Sequence, residues 1–240
     1  MSLSAGRRLR TISSGPTDAP THTNVPSGVS HIAATETACH PLVGKTHGVP
    51  RLIANVVEPG TIAAGVQPTL ALDAEIELSP FETRDIDAVV EAFSVPDIQY
   101  FHFRHLDRDE ALQWIEQAHQ AWRDEHAATW AIRQCSDGAV LGRVTIYLRL
   151  AEGHGEVSYW VLPSARRRHL ATRACRTATT WAHSIGIHRV ELQHSTKNDG
   201  SQRVAIAAGF VFEGLQRNAS RLIDGWHDMA LYAHLSTDSP

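Results

Sequence analysis

Apolar positions along the chain fall into two regimes that meet near residue 71. Before that point they follow no period. Ser13-Ser14-Gly15-Pro16 and Thr23-Asn24-Val25-Pro26-Ser27-Gly28 are loop chemistry, and the apolar run Leu52 to Val57 is strand-like but has no identifiable partner. Phe, Trp and Tyr are absent from residues 1–70. Such a segment cannot bury enough surface to fold by itself, so it reads as a low-complexity, disordered tail. A translation start set too far upstream would look the same.

From Ala71 onward the spacing becomes regular. Glu75 to Leu78 alternates as a strand. Thr83 stands at a helix N-cap before Ile86, Val89, Val90 and Phe93 at helical spacing, and Val95-Pro96-Asp97 ends that helix. Asp107 with Glu110 is a capping box for a second helix carrying Leu112, Ile115, Ala118 and Trp122. Trp130 to Ile132 and Val140 to Leu148 are strands of a hairpin turning at Asp137-Gly138. Glu156 to Leu162 is a further strand. Leu170, Ala174, Ala178, Trp181 and Ile185 mark a long helix closed by Gly186, and His188 to Ser195 alternates again. Ser201 to Ala208 forms a short helix, and Phe210 to Glu213 and Trp226 to Leu235 are the last strands. The pattern predicts an α/β domain over residues 71–236, a mixed sheet with helices on both faces, followed by a short tail at 237–240.

Composition changes this picture little. The net charge of −4 gives no whole-molecule attraction to nucleic acid or anionic membrane. Cys39, Cys135 and Cys175 are odd in number and lack metal or redox spacing, so they read as reduced thiols in a cytoplasmic protein. No apolar run approaches a membrane span. His102-x-x-His105 has no third ligand in evidence, and no metal is expected.

The densest chemistry lies between residues 160 and 174. A strand ends, Arg166, Arg167 and Arg168 turn, and a helix starts at Leu170. A helix N-terminus offers unpaired N–H groups and positive potential, a natural seat for a phosphate or pyrophosphate. On charge and position alone, a solvated basic loop or an RNA phosphate site fits the same residues.

The stretch Arg166-Arg167-Arg168-His169-Leu170-Ala171 resembles the acetyl-CoA motif Arg/Gln-x-x-Gly-x-Gly/Ala of GNAT acetyltransferases, in the RimJ/RimL-like branch that modifies ribosomal proteins. Arg166 fills the first position and Ala171 the last; His169 replaces the middle glycine. Other matches fall in order: Gly155 to Val161, Gly186 to Leu192, Asn198-x-x-Ser201, Ala208-Gly209-Phe210 with Glu213-Gly214, and Trp226 to Met229. Together they cover residues 72–236.

The resemblance implies the GNAT fold and acetyl-CoA as co-substrate. It implies a pantetheine arm between two splayed strands, held by backbone near Val161, with the pyrophosphate on Arg166, Arg167, Arg168, His169, Leu170, Ala171 and Thr172. Asn198 would bond the pantetheine amides, or is a turn asparagine. Glu156 would act as base for the amine, or is a solvent-facing strand residue. Ser201 would protonate the leaving thiolate, cap the short helix, or both. Phe101, His102 and Phe103 would line the acceptor site or simply pack. The implied reaction is direct attack by a primary amine, foremost a protein N-terminal α-amine of ribosomal type. A small-molecule acceptor such as an antibiotic or polyamine is the alternative, and a non-catalytic acyl-CoA-binding protein is a third reading. The branch also admits a homodimer.

Overall fold

The computed structural model describes residues 53–238. Its elements are β1 (Leu70–Ala71), β2 (Ile76–Pro80), α1 (Ile86–Ala92), α2 (Pro96–His102), α3 (Arg108–Arg123), β3 (Ala127–Gln134), β4 (Val140–Arg149), β5 (His154–Val161), α4 (Leu170–Ser184), β6 (Arg189–Ser195), α5 (Asp199–Ala207), β7 (Val211–Leu222) and β8 (Gly225–Leu235). The strands form one eight-stranded sheet in the order β1-β2-β3-β4-β5-β6-β8-β7. Every neighbouring pair is antiparallel except β5–β6. Gly138 takes φ +74 in the β3–β4 turn, the conformation its Asp-Gly sequence predicts.

Strand alternation sends side chains to two different cores. Trp130, Ile132, Val144, Ile146, Val157, Val190 and Leu192 pack beneath α4. Ala131, Val140 and Trp160 face the opposite way, against Phe81, Phe93, Trp114 and Ile115 from the α1–α3 side. Asp107 caps α3 as its sequence suggests: the Glu110 N–H donates to Asp107 Oδ1 and the Asp107 N–H to Glu110 Oε2, both at 2.9 Å. The first helix begins instead with a 3-10 turn, Thr83–Asp85, in which the Glu82 N–H donates to Asp85 Oδ2 at 2.8 Å. Asp85 also holds Arg133. That guanidinium is buried and bonded to both Asp85 oxygens, Ser79 Oγ and Gly138 O.

Two stretches differ from the pattern reading. The chain helps itself to a further helix, α2, where a loop is expected, because Pro96 sits at the first helical position and needs no hydrogen-bond acceptor there. Residues 53–69, inside the expected tail, form an irregular strap on the α4-side core. Val56 and Val57 N–H donate to Ala151 O and Leu150 O at 3.1 and 3.2 Å. Gly60, Ile62 and Ala63 N–H donate to the Glu125 carboxylate at 2.6, 2.8 and 3.1 Å. Trp122 and Trp130 donate indole N–H groups to Gly65 O and Pro68 O. The strap lacks aromatics of its own but covers those of the domain, and buries Val57 and Ile62 among them. Residues 1–52 of the expected tail, with Leu52 and Cys39, lie outside the described residues. Among the described residues no helix is long and apolar enough to cross a membrane.

Candidate active site

The β5–β6 ladder ends early. His154, Gly155 and Glu156 pair with Arg189, Val190 and Glu191, and beyond them the two strands share no register. β6 continues against β8, and β5 against β4. A cleft therefore opens between Val157–Val161 and Leu192–Ser195. Leu162 N–H donates to Leu141 O at 2.9 Å, so even-numbered residues of β5 turn their backbone groups to β4. Odd-numbered Val157, Tyr159 and Val161 turn theirs to the cleft. No strand pairs with this edge: Arg166 Nε takes the Val161 carbonyl and His102 bonds the Tyr159 backbone, and the edge's N–H groups are a seat for an extended polar chain.

At the same end of β5 the loop Pro163–His169 leads into α4. Arg167 and His169 both adopt left-handed conformations, at φ 63 and φ 55. This double turn sets the first amides of α4 free. Arg173 N–H is the first of the helix to find a backbone acceptor, His169 O. Leu170 fixes the helix by its buried side chain, while Arg166, Arg167, Arg168 and His169 are exposed and Ala171 and Thr172 are half-buried. The region thus presents N–H groups on a loop that carries three exposed arginines, a combination suited to a diphosphate. Arg166 is additionally tied into the fold: its Nε donates to Val161 O at 3.2 Å and its Nη1 to Asp97 Oδ2 at 2.8 Å. Arg168 donates to Gln134 Oε1 at 3.2 Å.

Across the cleft, Asn198 Oδ1 accepts from Ser201 N–H at 3.0 Å and so caps α5. The cap is Asn198 rather than Ser201, which leaves the Ser201 hydroxyl for other work. Tyr159 Oη donates to it at 3.0 Å, bridging β5 to α5. Burial pushes the Tyr159 hydroxyl far above the usual phenol range, so it stays protonated. Sequence reasoning missed Tyr159. Its position on the α4 side of β5 was readable from alternation, but nothing in the pattern told it from a core aromatic.

Glu156 is the last β5 residue paired to β6, half-buried and level with Glu191. It shares the α1–α3 side of the sheet with Ser158 and Trp160. His102 ends α2 and is half-buried; burial, then the positive charge of Arg143, pushes its pKa down to about 3, against a hydrogen bond to the Tyr159 backbone. Phe101 packs edge-on to Tyr100, and Phe103 closes the helix in a left-handed conformation. Tyr100 in turn bonds Asp224, which accepts from Lys197 Nζ at 3.2 Å and pairs with the His227 ring at 2.7 Å. These contacts bring the β7–β8 turn beside α2. His105 lies near Gln99 and is not joined with His102 in any group of three His, Cys, Asp or Glu among the described residues.

A sheet opened between two parallel strands, with a basic helix N-terminus at its mouth and a carboxylate at its closed end, is the arrangement of a transferase fold that takes an extended acyl carrier. The comparisons with known proteins agree: residues 75–211 match the family model described as "Acetyltransferase (GNAT) domain", and the chain belongs to that family of N-acetyltransferases. It is similar to "Probable N-acetyltransferase YjcK" of Bacillus subtilis (strain 168), 27% identical over 177 residues, spanning 72% of this chain and 94% of that protein. Among solved structures it resembles the Salmonella typhimurium acetyl transferase that modifies the N-terminal serine of ribosomal protein L7/L12, at a TM-score of 0.63 and 16% identity, over 70% of this chain and 99% of that one. It also resembles the microcin C7 self-immunity acetyltransferase MccE in complex with acetyl-CoA and AMP, at a TM-score of 0.63 and 18% identity, over 68% and 94% of the two chains.

Proposed function

We propose that this cytoplasmic enzyme transfers acetyl from acetyl-CoA to a primary amine, and that the amine is a protein N-terminal α-amine. The observation that carries the acetyl-CoA half is the early end of the β5–β6 ladder, with the free amides of α4 at the same end. The pantetheine arm takes the cleft edge at Tyr159 and Val161, and the diphosphate takes the amides of Arg167 to Thr172 with the side chains of Arg166, Arg167 and Arg168. Asn198 borders the arm.

The amine approaches from the α1–α3 side, past Phe101, His102 and Phe103. An α-amine has a pKa near 8 and must lose a proton to attack. Glu156 takes it, directly or through water. Ser201, held by Tyr159, returns a proton to the leaving thiolate. Alignment of amine and thioester supplies most of the rate. The ribosomal acceptor of the Salmonella neighbour supports the α-amine reading; a small-molecule amine is the runner-up.

Calorimetry with acetyl-CoA on the wild type and on an Arg166→Ala, Arg168→Ala double variant tests the cofactor half. Saturable 1:1 binding that weakens in the variant is expected; no binding to the wild type overturns it. A screen of N-terminal peptides against small amines then decides the acceptor.

A further inference from the structure

Two arginines are buried on the α1–α3 side of this sheet, each 3% exposed, and the fold treats them in opposite ways. Arg133 has a carboxylate on both sides of its fork, a hydroxyl and a carbonyl. Arg143 has no ion pair with any carboxylate among the described residues. Its Nη2 donates to Ser158 Oγ at 2.8 Å, its guanidinium lies 6.0 Å from the Trp114 ring centre, and its Nε has no acceptor. Trp160 stands directly opposite Arg143 in the β4–β5 register, and its indole Nε1, also buried, has no acceptor either. Two orphaned N–H donors on residues opposite each other in the register, one on a buried cation, are an arrangement that proteins avoid unless something else supplies the acceptor. The neighbouring His102 does not supply negative charge.

The place matters as much as the donors. Trp160 and Ser158 lie on β5 on the same side as Glu156, and Ser158 is one side-chain repeat, about 7 Å, further along the strand. Arg143 faces away from α4, so the phosphates of the cofactor do not reach it. Ser158 and His102 are half-buried, while Arg143 and Trp160 themselves are buried, so a ligand reaches the two donors by displacing part of the cover over them.

We infer that Arg143, Trp160 and Ser158 form an anion subsite that receives a carboxylate carried by the acceptor, a few bonds from its reacting amine. Arg143 Nε and Trp160 Nε1 donate to the carboxylate oxygens, and Ser158 orients the guanidinium. The acceptor class is therefore an amine with a nearby carboxylate, either the α-carboxylate of a free amino acid or an acidic side chain beside a peptide N-terminus. The inference rests on the acceptor entering on this side, as proposed above.

The test uses product-like ligands, so it does not depend on turnover. Tryptophan fluorescence, with Trp114 and Trp160 beside the subsite, follows titration with N-acetylglycine and with its uncharged amide. A second arm uses the α-amide of N-acetyl-alanyl-aspartic acid, whose side-chain carboxylate is free, against the α-amide of N-acetyl-alanyl-asparagine. In at least one arm the carboxylate form should bind tenfold or more tightly than its neutral partner. Arg143→Gln should erase that preference, and Trp160→Phe, which keeps an aromatic side chain but loses the N–H, should reduce it. Arg143→Lys serves as a folded control that keeps the charge should Arg143→Gln melt early. The arm that responds identifies the source of the carboxylate. Equal affinity for charged and neutral forms, no binding in either arm, or a preference that survives Arg143→Gln overturns the inference. Parallel acetyl-CoA calorimetry separates the cases: loss of acetyl-CoA binding in the wild type condemns the proposed function, whereas normal acetyl-CoA binding with no carboxylate preference condemns the subsite alone.

Discussion

His169 occupies a position that glycine would fill at no steric cost, and replacing it measures how the cofactor loop works. Its φ of 55 and ψ of 20 are left-handed, and the residue also stands at the N-cap of α4. A side chain in that region costs about 1–2 kcal/mol. Glycine would remove that strain, but its freer unfolded chain returns about 0.5–1 kcal/mol. His169→Gly should therefore stabilise by between about 0 and about 1.5 kcal/mol. His169→Ile puts a β-branched side chain where it fits worst, and should lose about 1–2 kcal/mol more. The residue is exposed, so packing does not confuse the comparison. Denaturant melts at constant m-value read the stability, and acetyl-CoA titration reads the loop. The glycine variant should bind acetyl-CoA at least as tightly as wild type, because the amides do the holding. The isoleucine variant should bind about tenfold more weakly, equivalent to about 1.4 kcal/mol, as the loop leaves its left-handed turn. An isoleucine variant as stable and as tight as wild type would refute the backbone argument. A tenfold loss in the glycine variant would transfer the role from backbone to imidazole.

Three further outcomes are expected. Glu125→Ala should cost about 1–2 kcal/mol, because its carboxylate collects N–H groups from Gly60, Ile62 and Ala63; limited proteolysis should then cut within residues 53–69 first. Tyr159→Phe and Ser201→Ala should each lower kcat with little change in acetyl-CoA affinity, and the double variant should be no worse than Ser201→Ala; strictly additive losses in a double-mutant cycle would separate the two hydroxyls. The His102 ring, neutral in the fold, makes stability fall on acidification: between its unfolded value of 6.5 and its folded value of about 3 the unfolded chain binds the extra proton, so the contribution is complete above pH 6.5 and is lost as pH drops through that window. His102→Gln should flatten this slope in denaturant melts taken at several pH values, and an unchanged slope would place the proton elsewhere.

Most of the domain's framework was legible because its signals are local. The Asp137-Gly138 turn, the Asp107 capping box and the Leu170–Ile185 helical face each depend on residues a few positions apart. What escaped depends on distant partners. The strap at 53–69 carries no period and no aromatic residue, yet Trp122, Trp130 and Glu125 supply its acceptors and donors from far along the chain. The tryptophans were readable as core; that their indole N–H groups would need an external backbone was not. The loop proposed for the cofactor was marked by charge and helix position and read by resemblance, but its left-handed turns are conformations that Arg167 and His169 do not advertise. Tyr159 and Arg143 were hidden for the same reason: alternation gives the side a residue faces, not whether its polar atom finds a partner there.

The early end of the β5–β6 ladder links these observations. While two strands pair, each turns half its backbone groups to the other and nothing is left for a ligand. Once they part, Tyr159 and Val161 keep their backbone pointing at the gap, and the side chains of alternate residues still project to opposite sides of it. Tyr159 thus meets Ser201 on the α4 side, where the proposed reaction has a leaving thiolate in need of a proton. Glu156, Ser158 and Trp160 line the other side, from which the proposed reaction brings the amine. A single strand separates the two substrates without any loop to divide them, and the two-residue repeat spaces their contacts. It follows that inserting one residue into β5 before Tyr159 should abolish both halves of the reaction together, because it exchanges the sides of the sheet for every residue that follows.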